Sequence, residues 1–249
     1  MRLLGHKIIT GEIECVGGVH IGGSADTMEI GGMDNPIIKD PITGFPYIPG
    51  SSIKGKGRSL LELRHELIEA DGSHHKYCGN DNCFMCRIFG IAANSKSKIG
   101  PGRLIIRDAH LTKESMEILK KLKREKGLPY SEEKYENSIN RTNATAVPRS
   151  IERIPAGIKL NLEMVYSIYG TGDEGKTDIE NIKHIKEFLR EIQNTTLGGS
   201  GHRGSGKVRF INLKIFDTES KSTEDFDIGT DNTDIDTSSE KNNDIKQKV

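Results

Sequence analysis

Three of the four cysteines fall within nine residues, in the stretch His74-His75-Lys76-Tyr77-Cys78-Gly79-Asn80-Asp81-Asn82-Cys83-Phe84-Met85-Cys86. Cys83 and Cys86 form a C-x-x-C pair, Cys78 precedes Cys83 in C-x4-C spacing, and His75 or His74 completes a Cys3His set. Thiolate and imidazole are preferred Zn2+ ligands, and four protein ligands close a tetrahedral site without an open position, so the spacing predicts a structural zinc. Reduced, merely buried thiols are the plainer alternative. Cys15 stands apart and reads as a small core residue. A disulfide scaffold does not suit a chain of this length with no secretory leader pattern.

A second concentration of chemistry is Leu197-Gly-Gly-Ser-Gly-His-Arg-Gly-Ser-Gly-Lys207, with glycines at 198, 199, 201, 204 and 206. Glycine lets backbone approach a ligand closely, and successive N–H groups can form an anion-binding nest. His202, Arg203 and Lys207 add donors and charge. Gly201–Lys207 matches G-x-x-x-x-G-K, but Val208 stands where a nucleotide P-loop needs Ser or Thr, and a strand pattern follows where a helix should. Gly50–Lys56 makes the same partial match and fails at Gly57. Contact with a phosphate backbone suits the loop better than a nucleotide; a plain hairpin loop is the alternative.

Upstream, Pro46–Arg58 leads from a Pro/Gly turn into a helix and places Ser51, Ser52, Lys54, Lys56 and Arg58 near its N-terminus. An anion is favoured there, whereas basic side chains oppose the helix dipole. An external phosphate would resolve that conflict; a solvated, capped turn is the bland reading. Before it lies a Gly-rich loop from His20 to Pro36, ending Gly31-Gly32-Met33-Asp34-Asn35-Pro36. By residue type alone Asp34-Asn35-Pro36 reads as a turn.

The 249 residues are 34% hydrophobic with a net charge of zero and a mean hydropathy of −0.53. The zero is a cancellation. Residues 217–249 hold ten acidic and four basic residues, which leaves residues 1–216 at +6. The basic body is compatible with a polyanion partner, and the acidic, apolar-poor tail is expected to be disordered. No run approaches the ~18 apolar residues of a membrane span, so a cytoplasmic protein is expected. Thirteen aromatic residues and no Trp leave too few base-stacking rings for RRM-type recognition, so any RNA contact should run through loops and phosphates. No Ser-His-Asp or Cys-His arrangement can be assembled.

Six elements must position these loops. Strands are expected at 2–16, 103–109, 157–169 and 207–216, the last two from alternating aliphatics. One helix is expected from about Arg58 to 70, with Leu60, Leu61, Leu63, Leu67 and Ile68 as its apolar face. The other is expected over 178–193, with Ile179, Ile182, Ile185, Phe188, Leu189 and Ile192. The order β-α-β-β-α-β predicts an α+β, modified ferredoxin-like (RRM-like) core, a four-stranded antiparallel sheet with two helices on one face. Three insertions decorate it: the Gly-rich loop 17–57, the Cys/His segment 71–102, and a charged segment 110–156 containing a helix at 113–126.

Taken together, four stretches resemble one family. They are HIGGSADTMEIGGMDNPIIKDPITGFPYIPGSSIKGKGRSLLE, the Cys cluster ending in CRIFG, ENSINRTNATAVPRSIERIPAG and LGGSGHRGSGKVRF. They look like the backbone subunits of type III-A CRISPR (Csm) effector complexes, within the RAMP superfamily. The resemblance covers about residues 1–216 as one RNA-binding domain. It implies a ferredoxin-like fold whose thumb lies in 110–156. It also implies head-to-tail copies along a guide RNA beside other Csm subunits, and cutting of complementary target RNA at regular intervals with a divalent metal, Mg2+. The family's essential aspartate falls on Asp34. Its guide-binding positions fall on His20, Ser52, Lys54, Arg58 and the loop Gly199, Gly201 to Arg203, and Arg141 and Arg149 lie in the implied thumb. A non-cutting RNA scaffold is the alternative, and a guide-precursor processing enzyme is a further one that the intact GGMDNP and thumb motifs argue against.

Overall fold

In the computed structural model, which describes residues 1–23, 35–92 and 97–229, alternating aliphatic residues build the centre of the fold. Strand β1 (Arg2–Cys15) lies between β5 (Lys159–Gly170) and β6 (Val208–Asp217), antiparallel to both. β2 (Leu104–Ile106) adds beyond β5, and β7 (Ser222–Asp225) adds beyond β6. The resulting sheet order is β2-β5-β1-β6-β7. The alternation in β5 works as expected: Leu160, Leu162, Met164 and Tyr166 are buried, with Asn161 on the opposite face. The fold is mixed α and β on an antiparallel sheet, and the four expected strands are all present.

Helix α5 (Ile182–Asn194) presents Ile185, Phe188, Leu189 and Ile192, each fully buried, and packs against α1 (Gly50–Arg64). The helix expected over 178–193 is split, with a short α4 (Lys176–Glu180) before α5 and Ile179 half-exposed on it. A short α2 (Phe84–Phe89) lies in the Cys/His segment, and α3 (Lys113–Lys126) has the bounds its periodicity predicts. Thr112 caps α3 by accepting from Ser115 N, and Gly127 ends it at φ 65°.

Helix α1 differs from expectation. It starts at Gly50, not near Arg58, and stops at Arg64, leaving Ile68 outside it and Leu63 59% exposed. The early start is held by close packing of its glycines. A Cβ on Gly57 would sit 2.0 Å from the Phe188 ring, and one on Gly50 would sit 2.1 Å from Ile106 O. These residues are small so that α1 can lie close to α5 and to β2, although glycine is a poor helix former. Gly57→Ala is therefore expected to destabilise the fold by about 1–3 kcal/mol through overpacking. Gly55→Ala, with nothing within 4 Å of its Cβ, should stabilise it by about 0.5–1 kcal/mol. Thermal unfolding of the two variants side by side distinguishes packing from propensity.

Two further segments depart from the expectations. The insertion 110–156 contains a two-stranded ribbon, β3 (Glu132–Ile139) paired with β4 (Ala146–Arg153). Its outer half is exposed on both faces, Ile139 and Val147 included, so it lacks the alternation that marks a half-buried strand. The tail does not leave the fold at 217: β7 pairs with β6, Phe226 and Ile228 are buried, and Arg190 Nε donates to Ile228 O at 2.8 Å. Residues 217–229 are held by this strand pairing and by Phe226 and Ile228 packing beside α5; the rest of the tail, 230–249, lies outside the described residues.

Candidate nucleic-acid interface

Four segments meet where the hairpin joins the sheet. Val19 and Ile154 exchange backbone hydrogen bonds at 3.0 and 2.8 Å. Gly199 N donates to His20 O at 2.8 Å, and Gly206 N to Gly18 O at 2.9 Å. Gly23 N donates to Pro36 O at 3.0 Å, and Ile38 N to Ile21 O at 2.9 Å. The glycine loop is thus stitched to the His20 segment. A Cβ on Gly198 would lie 2.2 Å from His20 O, so this approach requires glycine. His20 Nδ1 is 2.8 Å from Glu152 O. A carbonyl only accepts, so Nδ1 carries the proton and Nε2 is the acceptor of the neutral ring.

Glu152 organises the junction. Its carboxylate is 1% exposed and accepts from Ile37 N at 2.9 Å, from Lys39 Nζ and from Ser131 Oγ. Its backbone N donates to Asn35 O at 3.1 Å, and Asn35 Nδ2 donates to Ser150 O at 3.1 Å. Burial opposes ionisation of Glu152, but the Lys39 ammonium and the two other donors outweigh it and hold the carboxyl below its usual range. One buried anion therefore ties residues 35–39 to β4. Asp34, the residue immediately before this anchored stretch, lies outside the described residues.

The glycine loop continues as a single 3-10 turn, Gly201–Arg203, between Ser200 and Gly204, both in left-handed conformation at φ 58° and 80°. Arg203 Nη1 bonds Glu136 Oε2 on β3 at 3.0 Å, and Lys134 Nζ donates to Arg203 O at 2.7 Å. Arg149 stands opposite Glu136 in the β3–β4 register. His20, Gly199, Gly201, Arg203 and Arg149 are thereby grouped around the hairpin, while Arg141 lies in its tip.

The α1 residues rest on other supports. Lys54 Nζ donates to Leu104 O at 2.7 Å, and burial lowers its pKa. Arg58 bonds Glu62 Oε1 at 2.8 Å and His75 O at 2.9 Å, with its guanidinium over the Phe89 ring at 5.5 Å. Ser52 sits in the first turn, half-buried. The basic start of α1 is thus partly explained from within: Lys54 and Arg58 brace β2 and the Cys/His segment. Among the described residues no hydrogen bond joins this group to the glycine loop.

In the Cys/His segment the structure selects between the two histidines. His75 is buried, its backbone N accepted by Glu62 Oε1 at 3.0 Å, while His74 is exposed. His75, Cys78, Cys83 and Cys86 bring one ligand atom each within 4.8 Å of the others, and His75 Nε2 is 3.5 Å from Cys83 Sγ. Ligand atoms around a tetrahedral zinc are about 3.5–3.8 Å apart by its bond lengths, so the donor set fits the ion. Burial pushes the Cys86 thiol up to about 12, and a nearby cation would reverse that shift. Cys15 is fully buried, as its isolation implied.

Sequence reasoning missed Glu152, Lys39, Glu136 and Lys134. Lys39, Glu136 and Glu152 lie within stretches that carry the family resemblance, but nothing in residue type or spacing marks them, because their importance comes from partners distant in sequence. Among the described residues no helix is long and apolar enough to cross a membrane.

A profile of the RAMP superfamily matches residues 12–209. The chain is 46% identical over 226 residues to the "CRISPR system Cms endoribonuclease Csm3" of Methanothermobacter thermautotrophicus, covering 86% of this chain and 87% of that one. It is 40% identical over 203 residues to the protein of the same description from Enterococcus italicus, covering 82% and 88%. Among solved structures, it is similar to a chain of the Csm3–Csm4 subcomplex of a type III-A CRISPR-Cas interference complex, with TM-score 0.57, 31% identity and 90% of each chain covered. The Csm3 of Methanopyrus kandleri shares the fold, with TM-score 0.55 and 24% identity over 86% of this chain and 78% of that one.

Proposed function

The chain belongs to the RAMP superfamily, and from that membership we propose that it is an RNA-guided endoribonuclease subunit of a type III-A CRISPR effector complex. The observation that carries the reading is its identity, over most of its length, to relatives described as Csm3 endoribonucleases. Copies stack head to tail along a guide RNA in the cytoplasm, beside other Csm subunits. His20, Ser52, Lys54, Arg58, Gly199, Gly201 and Arg203 face the guide backbone, and Arg141 and Arg149 on the hairpin touch the guide–target duplex. The junction at His20 and the glycine loop supports this reading, because it offers closely apposed backbone and fixed donors at the base of the hairpin. The Arg141 and Arg149 side chains are exposed on that hairpin.

Cutting is by in-line attack of a target ribose 2′-OH on the adjacent phosphorus. The new O–P bond forms as the bond to the leaving 5′ oxygen breaks, giving a 2′,3′-cyclic phosphate and a 5′-OH. Asp34 serves at the reacting sugar and phosphate, accepting the 2′ proton or holding a divalent metal. Mg2+, when bound, would neutralise charge on the scissile phosphate. Zinc held by His75, Cys78, Cys83 and Cys86 is structural and fastens the loop behind α1.

The reconstituted complex, given guide and complementary RNA, should cut at regular intervals with Mg2+ and stop with EDTA. Tight target binding with no cutting under either condition would make the chain a scaffold instead. Glu152→Gln is expected to slow single-turnover cutting about 10–100-fold, since it releases Lys39 and loosens the anchor of residues 35–39, and small misplacements of a reacting group are costly. Target affinity should hold. Unchanged cutting in that variant would show that the anchor does not position the catalytic loop.

A further inference from the structure

The end of α1 and the first turns of α5 assemble a second cluster, away from the cysteines in composition though not in space. His65 Nε2 lies 3.1 Å from each carboxylate oxygen of Glu187, and His184 Nδ1 lies 3.0 Å from Glu187 Oε2. One ligand atom from each of the three residues falls within 4.8 Å of the others. The side chains are 30%, 14% and 17% exposed for His65, His184 and Glu187, so the cluster is sheltered yet open on one side.

Its walls are defined. Phe84 stacks on His184 with centroids 3.9 Å apart and meets His65 edge-on at 4.8 Å. Arg64 holds Glu187 Oε1 at 2.8 Å and Glu191 Oε1 at 2.6 Å, which fixes the carboxylate from outside. The rings of His65 and His184 are thus aimed at one carboxylate by packing they do not control. Two imidazoles and a carboxylate are the donor set of three-ligand zinc sites and suit Ni2+ and Co2+ also. Ligand atoms around such an ion stand about 3.3 Å apart, given bonds near 2.0 Å. The two His–Glu187 separations of 3.0 and 3.1 Å are a few tenths of an ångström from that, and the two imidazoles, with centroids 5.5 Å apart, would close on the ion by side-chain rotation. Burial makes His184 harder to protonate beyond its neutral form. The ring nitrogens that face the Glu187 carboxylate carry protons in the metal-free cluster, and an arriving ion would displace them.

We propose that His65, His184 and Glu187 form a second metal site, for a divalent ion of the zinc class, with a coordination position open to water. The ion would staple the end of α1 to α5. Phe84, which follows the zinc-cluster residue Cys83, packs directly on this site, so the two centres share a wall.

The test is a metal count on the full-length chain, free of any affinity tag, by equilibrium dialysis against Zn2+. Two equivalents are expected for the wild type, one for His184→Gln and for His65→Gln, and one for Cys83→Ser. Co2+ loading reads both sites in the unaltered protein, so the result stands even if a variant folds poorly. The cysteine site should give intense near-ultraviolet thiolate-to-metal absorption, and the second equivalent only weak visible bands. A single equivalent in the wild type would overturn the proposal, leaving a hydrogen-bonded ionic latch. So would a second equivalent that survives both histidine substitutions. A lower melting temperature in those variants with an unchanged metal count would do the same.

Discussion

Asp34→Ala is expected to slow cutting of a complementary RNA by about 10²–10⁴-fold, the contribution typical of a positioned acid–base group. Target affinity should change by less than about twofold, under ~0.5 kcal/mol. The separation of the two effects follows from charge. A carboxylate near a phosphate adds nothing to phosphate binding, so deleting it does not weaken the hold on RNA. The mainchain on its C-terminal side is held independently by Asn35 O, Pro36 O and Ile38 N, through bonds of 2.9 to 3.1 Å to Glu152, Gly23 and Ile21. The loop therefore keeps its anchor when Asp34 is truncated. Asp34→Asn, nearly the same size, should be almost as inactive, because charge and basicity are lost with the shape kept. Single-turnover cleavage and filter binding on one preparation of the assembled complex check both halves. Undiminished cutting by Asp34→Ala would move the chemistry to another residue or another subunit.

Asp178→Ala is expected to cost about 3–5 kcal/mol, the usual effect of removing one partner from a buried ion pair. For a chain of this size each kcal/mol moves the melting temperature by about 2–4 °C, so a fall of roughly 6–20 °C is expected. Asp178 is fully buried and accepts from Arg87 Nη1 at 2.9 Å, from Arg103 Nε at 3.1 and 3.2 Å, and from Tyr169 N at 3.0 Å. Arg103 is itself fully buried, over the Tyr169 ring at 5.0 Å. Truncation leaves two guanidinium groups in the interior facing no anion. The damage should also reach the cysteine segment, since Arg87 Nε donates to Asp81 O at 2.8 Å, inside the loop between Cys78 and Cys83. Thermal unfolding measures the first effect. A loss below about 1 kcal/mol would mean that water enters and compensates. Asp178→Asn should fall between, keeping acceptors while losing charge.

The elements that were legible in the sequence are those whose burial repeats along the chain. β1, β5 and β6 showed as aliphatic alternation, and α5 and α3 as helical periodicity, because the side of an element that faces the core is written at spacings of 2 and 3.6 residues. The three cysteines were legible as a cluster of candidate ligands because metal geometry constrains short spacings, and the fold does bring them together with His75. The glycines at 198–206 were legible as a place of close approach because only glycine allows it.

The tertiary structure decided what those spacings leave open. It chose His75 over His74, because Arg58 and Glu62 on α1 clamp the His75 backbone. It extended α1 back to Gly50, because Phe188 and Ile106 demand small residues across from them. It drew residues 217–229 into the sheet through Phe226 and Ile228. It made Glu152 and Asp178 the anchors of the hairpin junction and of the interior, through partners 115 and 91 residues away in sequence. Local patterns record which face of a residue avoids water. A buried charge is stable only where opposite charges and donors converge, and that convergence exists only once the chain is folded.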